Sequence, residues 1–219
     1  MNSIKSQTIK SKTGDLIIIE NLENTPKFIV NNNQNMTLLL LLVDNNNEYD
    51  GEIDVMIRGE NAKVQIFGII IGSGTQKIKL HTIQDHRGRN SVSDLLIKSV
   101  LFGEARLNYS GLINIGVGAQ KSNAYQKNQN ILMSPKSWAQ SRPYLEIKAN
   151  DVRCTHGATV GKIDREQMYY LRSRGIYQKE AEKLILKGFL GEVIDRFDDS
   201  KIKEEILISI NKRLDNLLN

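Results

Sequence analysis

From about Leu16 to Ile147 the chain is a series of short apolar runs, many of them alternating with polar residues, separated by Asn, Gly and Asp. Ile53-Asp54-Val55-Met56-Ile57, Val64-Gln65-Ile66, Ile78-Lys79-Leu80 and Leu112-Ile113-Asn114-Ile115 carry the period of two, rich in β-branched residues, that predicts strands. Asn31-Asn32-Asn33, Asn45-Asn46-Asn47, Gly72-Ser73-Gly74 and Gly116-Val117-Gly118 have turn chemistry. No convincing helical period occurs before residue 160. Some strands, such as Phe67-Gly68-Ile69-Ile70-Ile71, are apolar on both faces, which a sandwich with one wet face per sheet does not predict. Evenly spaced short strands also suit a β-solenoid, but no strict repeat is visible. The periodicity leaves solenoid and sandwich open.

After Gly161 the pattern changes. Asp164 and Gln167 have capping-box spacing and predict a helix through about Ser173, with Gly175 as its positive-φ stop. A second helix is predicted from Lys179 to Phe197, with Ala181, Leu184, Ile185, Phe189, Val193 and Phe197 as its apolar stripe. A third fits Lys201 to Leu218, striped by Ile202, Ile206, Ile210, Leu214 and Leu217. The expected division is a β domain over 1–162 and a helical region over 163–219.

Composition narrows the function classes. A hydrophobic fraction of 40% and a charged fraction of 25% are those of a folded, soluble protein. The net charge of +5 is spread without a dense basic block or aromatic interleaving, so no nucleic-acid partner is expected. The longest apolar run, Leu38 to Val43, is far short of the roughly 20 residues that cross a bilayer, and no signal-peptide pattern opens the chain. The single cysteine excludes an intramolecular disulfide. A cytoplasmic protein with no membrane partner is expected.

The remaining chemistry gathers at Val152-Arg153-Cys154-Thr155-His156-Gly157. His81, His86 and His156 show no metal-binding spacing, and neither a Walker-type phosphate loop nor a G-x-S-x-G elbow is present. On an extended strand Cys154 and His156 share a face. As a nucleophile and base they lack an identifiable oxyanion donor and orienting carboxylate. As ligands for iron or zinc they are chemically apt but too few to close a shell, so a partner chain, sulfide or another group must complete it. The plainer reading is a structural cysteine with a histidine at an interface, as in a β-solenoid protein-binding module without cluster chemistry.

The block Pro143–Ile176, PYLEIKANDVRCTHGATVGKIDREQMYYLRSRGI, resembles the most recognisable segment of the SufB/SufD family, the scaffold proteins of the SUF iron–sulfur cluster assembly machinery. It combines LEI, C-x-HGATVG and YLRSRGI. Phe102-Gly103, Ala105-Arg106, Gly111-Leu112-Ile113, Ala124-Tyr125-Gln126 and Asn130 to Ser134 extend the likeness more loosely, over about residues 80 to 197. The resemblance implies a mainly β fold: a right-handed parallel β-helix followed by a small C-terminal α-helical region. It implies pairing through the end of the β-helix with a SufB-like paralogue or a second copy. It also implies docking of the SUF ABC-type ATPase on the helices, through Met168, Tyr169, Tyr170, Leu171, Arg174, Ile176, Leu184 and Phe189. ATP hydrolysis would then belong to the partner, and this chain would be a non-catalytic scaffold. Gly157 stands where SufB carries Glu, and Asn128 aligns with the SufB assembly cysteine, so the likeness is to SufD. Cys154 and His156 then correspond to the position where a transient, nascent iron–sulfur cluster is shared with a partner chain. The family's usual N-terminal helical region has no counterpart here on this reading.

Overall fold

The computed structural model describes residues 6–11, 14–22, 27–44 and 48–218. The predicted turn at Asn45-Asn46-Asn47 lies outside them. In chain order the strands are β1 Ser6–Ser11, β2 Gly14–Ile19, β3 Phe28–Val30, β4 Asn35–Leu42, β5 Glu48–Ile57, β6 Lys63–Gly72, β7 Lys77–His86, β8 Val92–Leu101, β9 Arg106–Ile115, β10 Asn123–Leu132, β11 Trp138–Ile147 and β12 Arg153–Gly161. Helices α1 Arg165–Ser173, α2 Gln178–Ile194 and α3 Ser200–Leu218 follow.

From β3 onward, each strand pairs in parallel with the strand two places on in the chain. One sheet runs β1-β2-β4-β6-β8-β10-β12 and the other β11-β9-β7-β5-β3; among the described residues only β1 and β2 pair antiparallel. The chain therefore crosses from sheet to sheet and back in each coil, forming a parallel β-solenoid of about five turns. This resolves the choice between solenoid and sandwich. Asn35 lies opposite Lys63, Lys63 opposite Val92, Val92 opposite Asn123, and Asn123 opposite Arg153. The step is roughly 30 residues but varies between coils, which hides the repeat in the sequence. One corner recurs with left-handed backbone at Asn33, Asn61, Asn90 and Lys121. Asparagine tolerates this conformation better than most residues, which accounts for its use in the turns. Beside that corner the coils touch through glycine: a Cβ on Gly88 would fall 2.0 Å from the carbonyl oxygen of Gly59.

The two sheets have different surroundings. Between them lies an apolar core that includes Leu38, Leu40, Ile66 and Ile70 from one side and Ile53, Val55 and Ile57 from the other. The outer face of the seven-stranded sheet is also covered. Phe67, Ile69, Ile71, Leu96 and Val100 pack with Leu186, Leu190, Val193, Phe197, Ile206 and Ile210 in a second core. The rings of Phe67 and Phe197 meet edge to face at 5.4 Å. Strands β4 and β6 are largely apolar on both faces because both faces are buried, whereas β8 mixes apolar residues with the buried Ser93, Lys98 and Ser99. The five-stranded sheet keeps a wet outer face, with exposed pairs such as Lys79–Asp50 and Lys77–Glu48 running across its strands. Such pairs stabilise little but oppose misregistered stacking.

The helical predictions hold for α1 and α3 and need correction in α2. Helix α2 ends at Ile194, not Phe197, and its buried residues are Ala181, Leu186, Leu190, Val193 and Ile194. Leu184, placed on the predicted stripe, is 50% exposed. The segment has apolar residues nearly all round, so contact with the sheet, not periodicity, selects the buried face. Lys98 on β8 is buried under this helix. Its ammonium pairs with Glu192 and lies 4.3 Å from the centre of the Phe189 ring. Glu192 also reaches Lys127 on β10 at 3.4 Å, and Arg196 pairs with Asp94 at 3.2 Å.

Candidate functional site at the open end of the solenoid

Strand β12 begins at Arg153, which follows a turn tied back by the Asp151 carbonyl accepting from Lys121 N–H at 2.5 Å. It pairs with β10 so that Cys154 faces Ala124, His156 faces Gln126, and Gly157 faces Lys127. Among the described residues no strand pairs with its other edge, and β11 likewise ends its sheet. Both sheets thus stop at one end of the solenoid with hydrogen-bonding edges open, a template for pairing with another chain.

Alternation along β12 places Cys154 and His156 in the row that continues the inward side chains of β10. The pair is therefore brought to one side of the final coil. Their environments differ. Cys154 is half-buried against a small end cluster that includes Ile113, Ile115, Ala124 and Ala149. Burial pushes its thiol pKa up, so the group is a neutral thiol near pH 7. His156 is exposed. The two donors have no third metal-ligating side chain beside them: among the described residues no cluster of three or more His, Cys, Asp or Glu is present. A cluster held here as cargo needs donors from outside the chain.

Behind the pair the interior becomes polar. Gln126, Asn128 and Asn130 on β10 are buried, stacked on Leu95, Ile97 and Ser99 of β8, which in turn stack on Ile66, Gly68 and Ile70 of β6. The Gln126 amide donates to the Gly111 carbonyl at 3.2 Å and accepts from Gln84 at 3.2 Å. Asn130 accepts from the Ser99 hydroxyl at 2.5 Å and donates to Asn128 Oδ1 at 2.8 Å and to the Thr159 carbonyl of β12 at 3.0 Å. This last bond ties the polar core directly to the strand carrying His156. Gly111 leaves room for this network, because a Cβ would sit 2.4 Å from both Gln126 Nε2 and the Tyr109 hydroxyl and would force one of them to shift. Sequence reasoning assigned this network no role. Its signal was the alternation in Ala124-Tyr125-Gln126-Lys127-Asn128-Gln129-Asn130, which is strand-like but polar on both faces.

One coil back, His86 is fully buried, its two ring nitrogens 2.7 and 2.8 Å from the Ser91 and Ser93 hydroxyls. Burial lowers its pKa to about 4 against a smaller opposing influence of Asp85. This histidine is structural. His81 lies on the outer face of the other sheet, hydrogen-bonded to Ser110 at 2.6 Å, away from the end coil.

The residues expected to meet the ATPase lie on α1, on α2 and, for Arg174 and Ile176, in the turn between them. Asp164 caps α1, its carboxylate accepting from Glu166 N–H at 2.8 Å, and Gly175 ends the turn at φ 84°. Met168, Leu171 and Ile176 are half-buried, whereas Tyr169, Tyr170, Arg174 and Leu184 are exposed. Phe189 instead turns inward beside Lys98. Between α1, the end of β10 and the start of α2 lies a groove of about 880 Å³. No helix among the described residues is long and apolar enough to cross a membrane.

Residues 27–189 match the SufBD core domain of SUF system FeS cluster assembly. The chain is 35% identical over 158 residues to the iron–sulfur cluster assembly protein SufD of Escherichia coli, covering 72% of this chain and 37% of that protein. It is 33% identical over 146 residues to SufD of Bacillus subtilis, covering 67% of this chain and 33% of that one. A SufBD family protein of Synechocystis is 31% identical over 137 residues, covering 63% and 30% of the two chains. The match thus spans about a third of the length of each of these relatives. With the parallel solenoid, the C-x-HGATVG strand at its end and the helices behind it, the chain belongs to the SufB/SufD family and is SufD-like.

Proposed function

We propose that this chain works as a non-catalytic scaffold component of a cytoplasmic SUF iron–sulfur cluster assembly complex. In this reading residues 1–162 pair with a SufB-like chain, or with a second copy, through the open edges of β11 and β12. Residues 163–219 dock the ABC-type ATPase, which hydrolyses ATP. The observation that carries the reading is the position of Cys154 and His156 on a terminal strand whose other edge has no partner among the described residues.

The chemistry follows from the donor set. His156, exposed and without a described side-chain partner, offers an imidazole nitrogen directly to iron. Cys154 binds only as thiolate, so ligation releases a proton and is opposed by the burial that raises its pKa. Two donors hold a nascent cluster only while the neighbouring chain supplies the rest, which makes it transferable cargo. Movement of α2 reaches this strand through Glu192, because it grips both Lys98 of β8 and Lys127 of β10, and Lys127 lies opposite Gly157. In this reading helix displacement by the ATPase shifts the terminal strand and so opens the paired seam that covers the two donors in the complex.

The test is anaerobic reconstitution of the complex with iron and sulfide, followed by absorption spectroscopy and transfer to an apo-acceptor. His156→Ala should remove transfer while the circular dichroism spectrum is unchanged. Transfer at the unsubstituted rate would refute the assignment.

A further inference from the structure

Arg213 on α3 carries a charge that the fold buries. The residue is only 8% exposed, yet it forms no ion pair among the described residues. Its Nη2 donates to the hydroxyl of Ser73, in the turn after β6, at 2.6 Å, and that partner is neutral. Its Nε, also buried, has no hydrogen-bond partner. Removing a guanidinium from water is costly unless an anion meets it. Burial lowers the Arg213 pKa, and the nearby Asp44 and Tyr49 oppose that shift, but Asp44 closes no ion pair with it.

A cavity of about 300 Å³ lies against this side chain, between α3 and the ends of β2 and β4. Such a volume admits roughly ten water-sized groups. Ser209, Lys212, Arg213 and Asn216 follow one another at three- and four-residue steps, so a single face of α3 lines the cavity with hydrogen-bond donors. The facing wall is built differently. Leu41 and Val43 supply an apolar surface, and Glu20 and Asp44, just past the ends of β2 and β4, supply carboxylates. The Asp44 backbone is fixed by its carbonyl, which accepts from Gln76 Nε2 at 3.1 Å. Lys212, Glu20 and Asp44, like Arg213, form no ion pair among the described residues.

The charges on the two walls select the ligand. A lone carboxylate or phosphate would answer the cations but meet two acids, and a lone amine would meet two cations. A molecule with both charges and a short apolar body satisfies every wall at once. We propose that this cavity binds a small aliphatic amino acid as its zwitterion. Its carboxylate lies toward Arg213 and Lys212, its ammonium toward Asp44 and Glu20, and its side chain against Leu41 and Val43. The site is separate from Cys154 and His156, since β4 stands four places from β12 in the sheet. It goes beyond the scaffold reading and does not depend on it. The bound molecule bridges α3 and the sheet, so it stabilises the folded chain by mass action.

The test uses the full chain with L-leucine as the probe, read by calorimetry and by the thermal midpoint. L-Leucine should bind and raise the midpoint. Its methyl ester lacks the carboxylate and 4-methylpentanoate lacks the amine, and each should bind at least about tenfold more weakly. Arg213→Met removes the buried charge, while Lys212→Gln and Asp44→Asn change exposed positions and report on binding whatever Arg213→Met does to the fold. Each should weaken L-leucine binding at least about fivefold. Binding that is unchanged in Lys212→Gln and Asp44→Asn would overturn the site. Equal binding of the ester or of 4-methylpentanoate would overturn the zwitterion. No heat and no midpoint shift at about 10 mM L-leucine would overturn the proposal as a whole.

Discussion

In the early coils the inward row of the seven-stranded sheet runs Leu38, Ile66, Leu95, all fully buried; in the last two coils the same row continues as Gln126 and His156. The backbone register hardly changes along this row, but the side chains pass from hydrocarbon to amide to exposed imidazole. The neighbouring row runs Val64, Ser93, Ala124 and Cys154, with small residues after the first. A solenoid buries each coil with the next, so an interior coil can be apolar throughout, whereas the last coil has nothing beyond it. Apolar residues there would form a sticky cap. A polar network holds its shape there without another coil.

The contrast can be broken most severely in its apolar half. Ile66→Ala should lower stability by about 2–5 kcal/mol, read from denaturant midpoints, because rigid strands on both sides prevent collapse of the cavity. A loss below 1 kcal/mol, on the order of a surface change, would mean the early coils are loosely packed.

The next effect is pH-dependent. His86 binds a proton less readily folded than unfolded, its pKa falling from 6.5 to about 4. Between those values the unfolded chain holds more protons, so stability rises with pH there. The full contribution is present above pH 6.5 and is lost as pH falls through about 4. The total is on the order of 3 kcal/mol. In His86→Asn the slope of stability against pH over that window should flatten; an unchanged slope would assign it to other groups.

A smaller effect tests the polar half. Gln126→Ala removes the partner of Gln84 and of the Gly111 carbonyl, and should destabilise by about 1–3 kcal/mol. Gly111→Ala pushes a methyl group into the same place and should cost about 1–3 kcal/mol. If the two effects coincide in a double mutant, with less than additive loss, Gln126 and Gly111 form one unit. The smallest expected change in stability is at His156. Truncation to alanine should shift the midpoint by no more than about 0.5 kcal/mol, since the side chain is exposed. Along one row of side chains, then, stability effects should shrink from Ile66 to His156 as the effect on cluster transfer grows.

Much of the architecture was legible in the pattern. Alternating β-branched runs marked the strands, Asp164 and Gly175 bounded α1, and the Ile202, Ile206, Ile210, Leu214 stripe lies in the core as its spacing required. These are local matters, set by side-chain entropy, backbone hydrogen bonds and left-handed turns within a few residues. The C-x-HGATVG segment carried the family likeness, so Cys154 and His156 could be singled out before any coordinates.

Other features depend on contacts far apart in the chain. Leu184 and Leu186 are equally hydrophobic, and only the position of the outer face of β6 and β8 made the second one core and left the first exposed. The coil step of roughly 30 residues varied too much to show as a repeat until the strands were stacked. Gln126, Asn128 and Asn130 read as surface residues by type, yet stacking buries them behind the final strand. Residue type and spacing thus marked most of the elements and singled out the candidate pair. Stacking alone decided which strands share a layer, which helix face is covered, and that the pair lies where the solenoid ends, because burial is a property of neighbours that sequence distance does not encode.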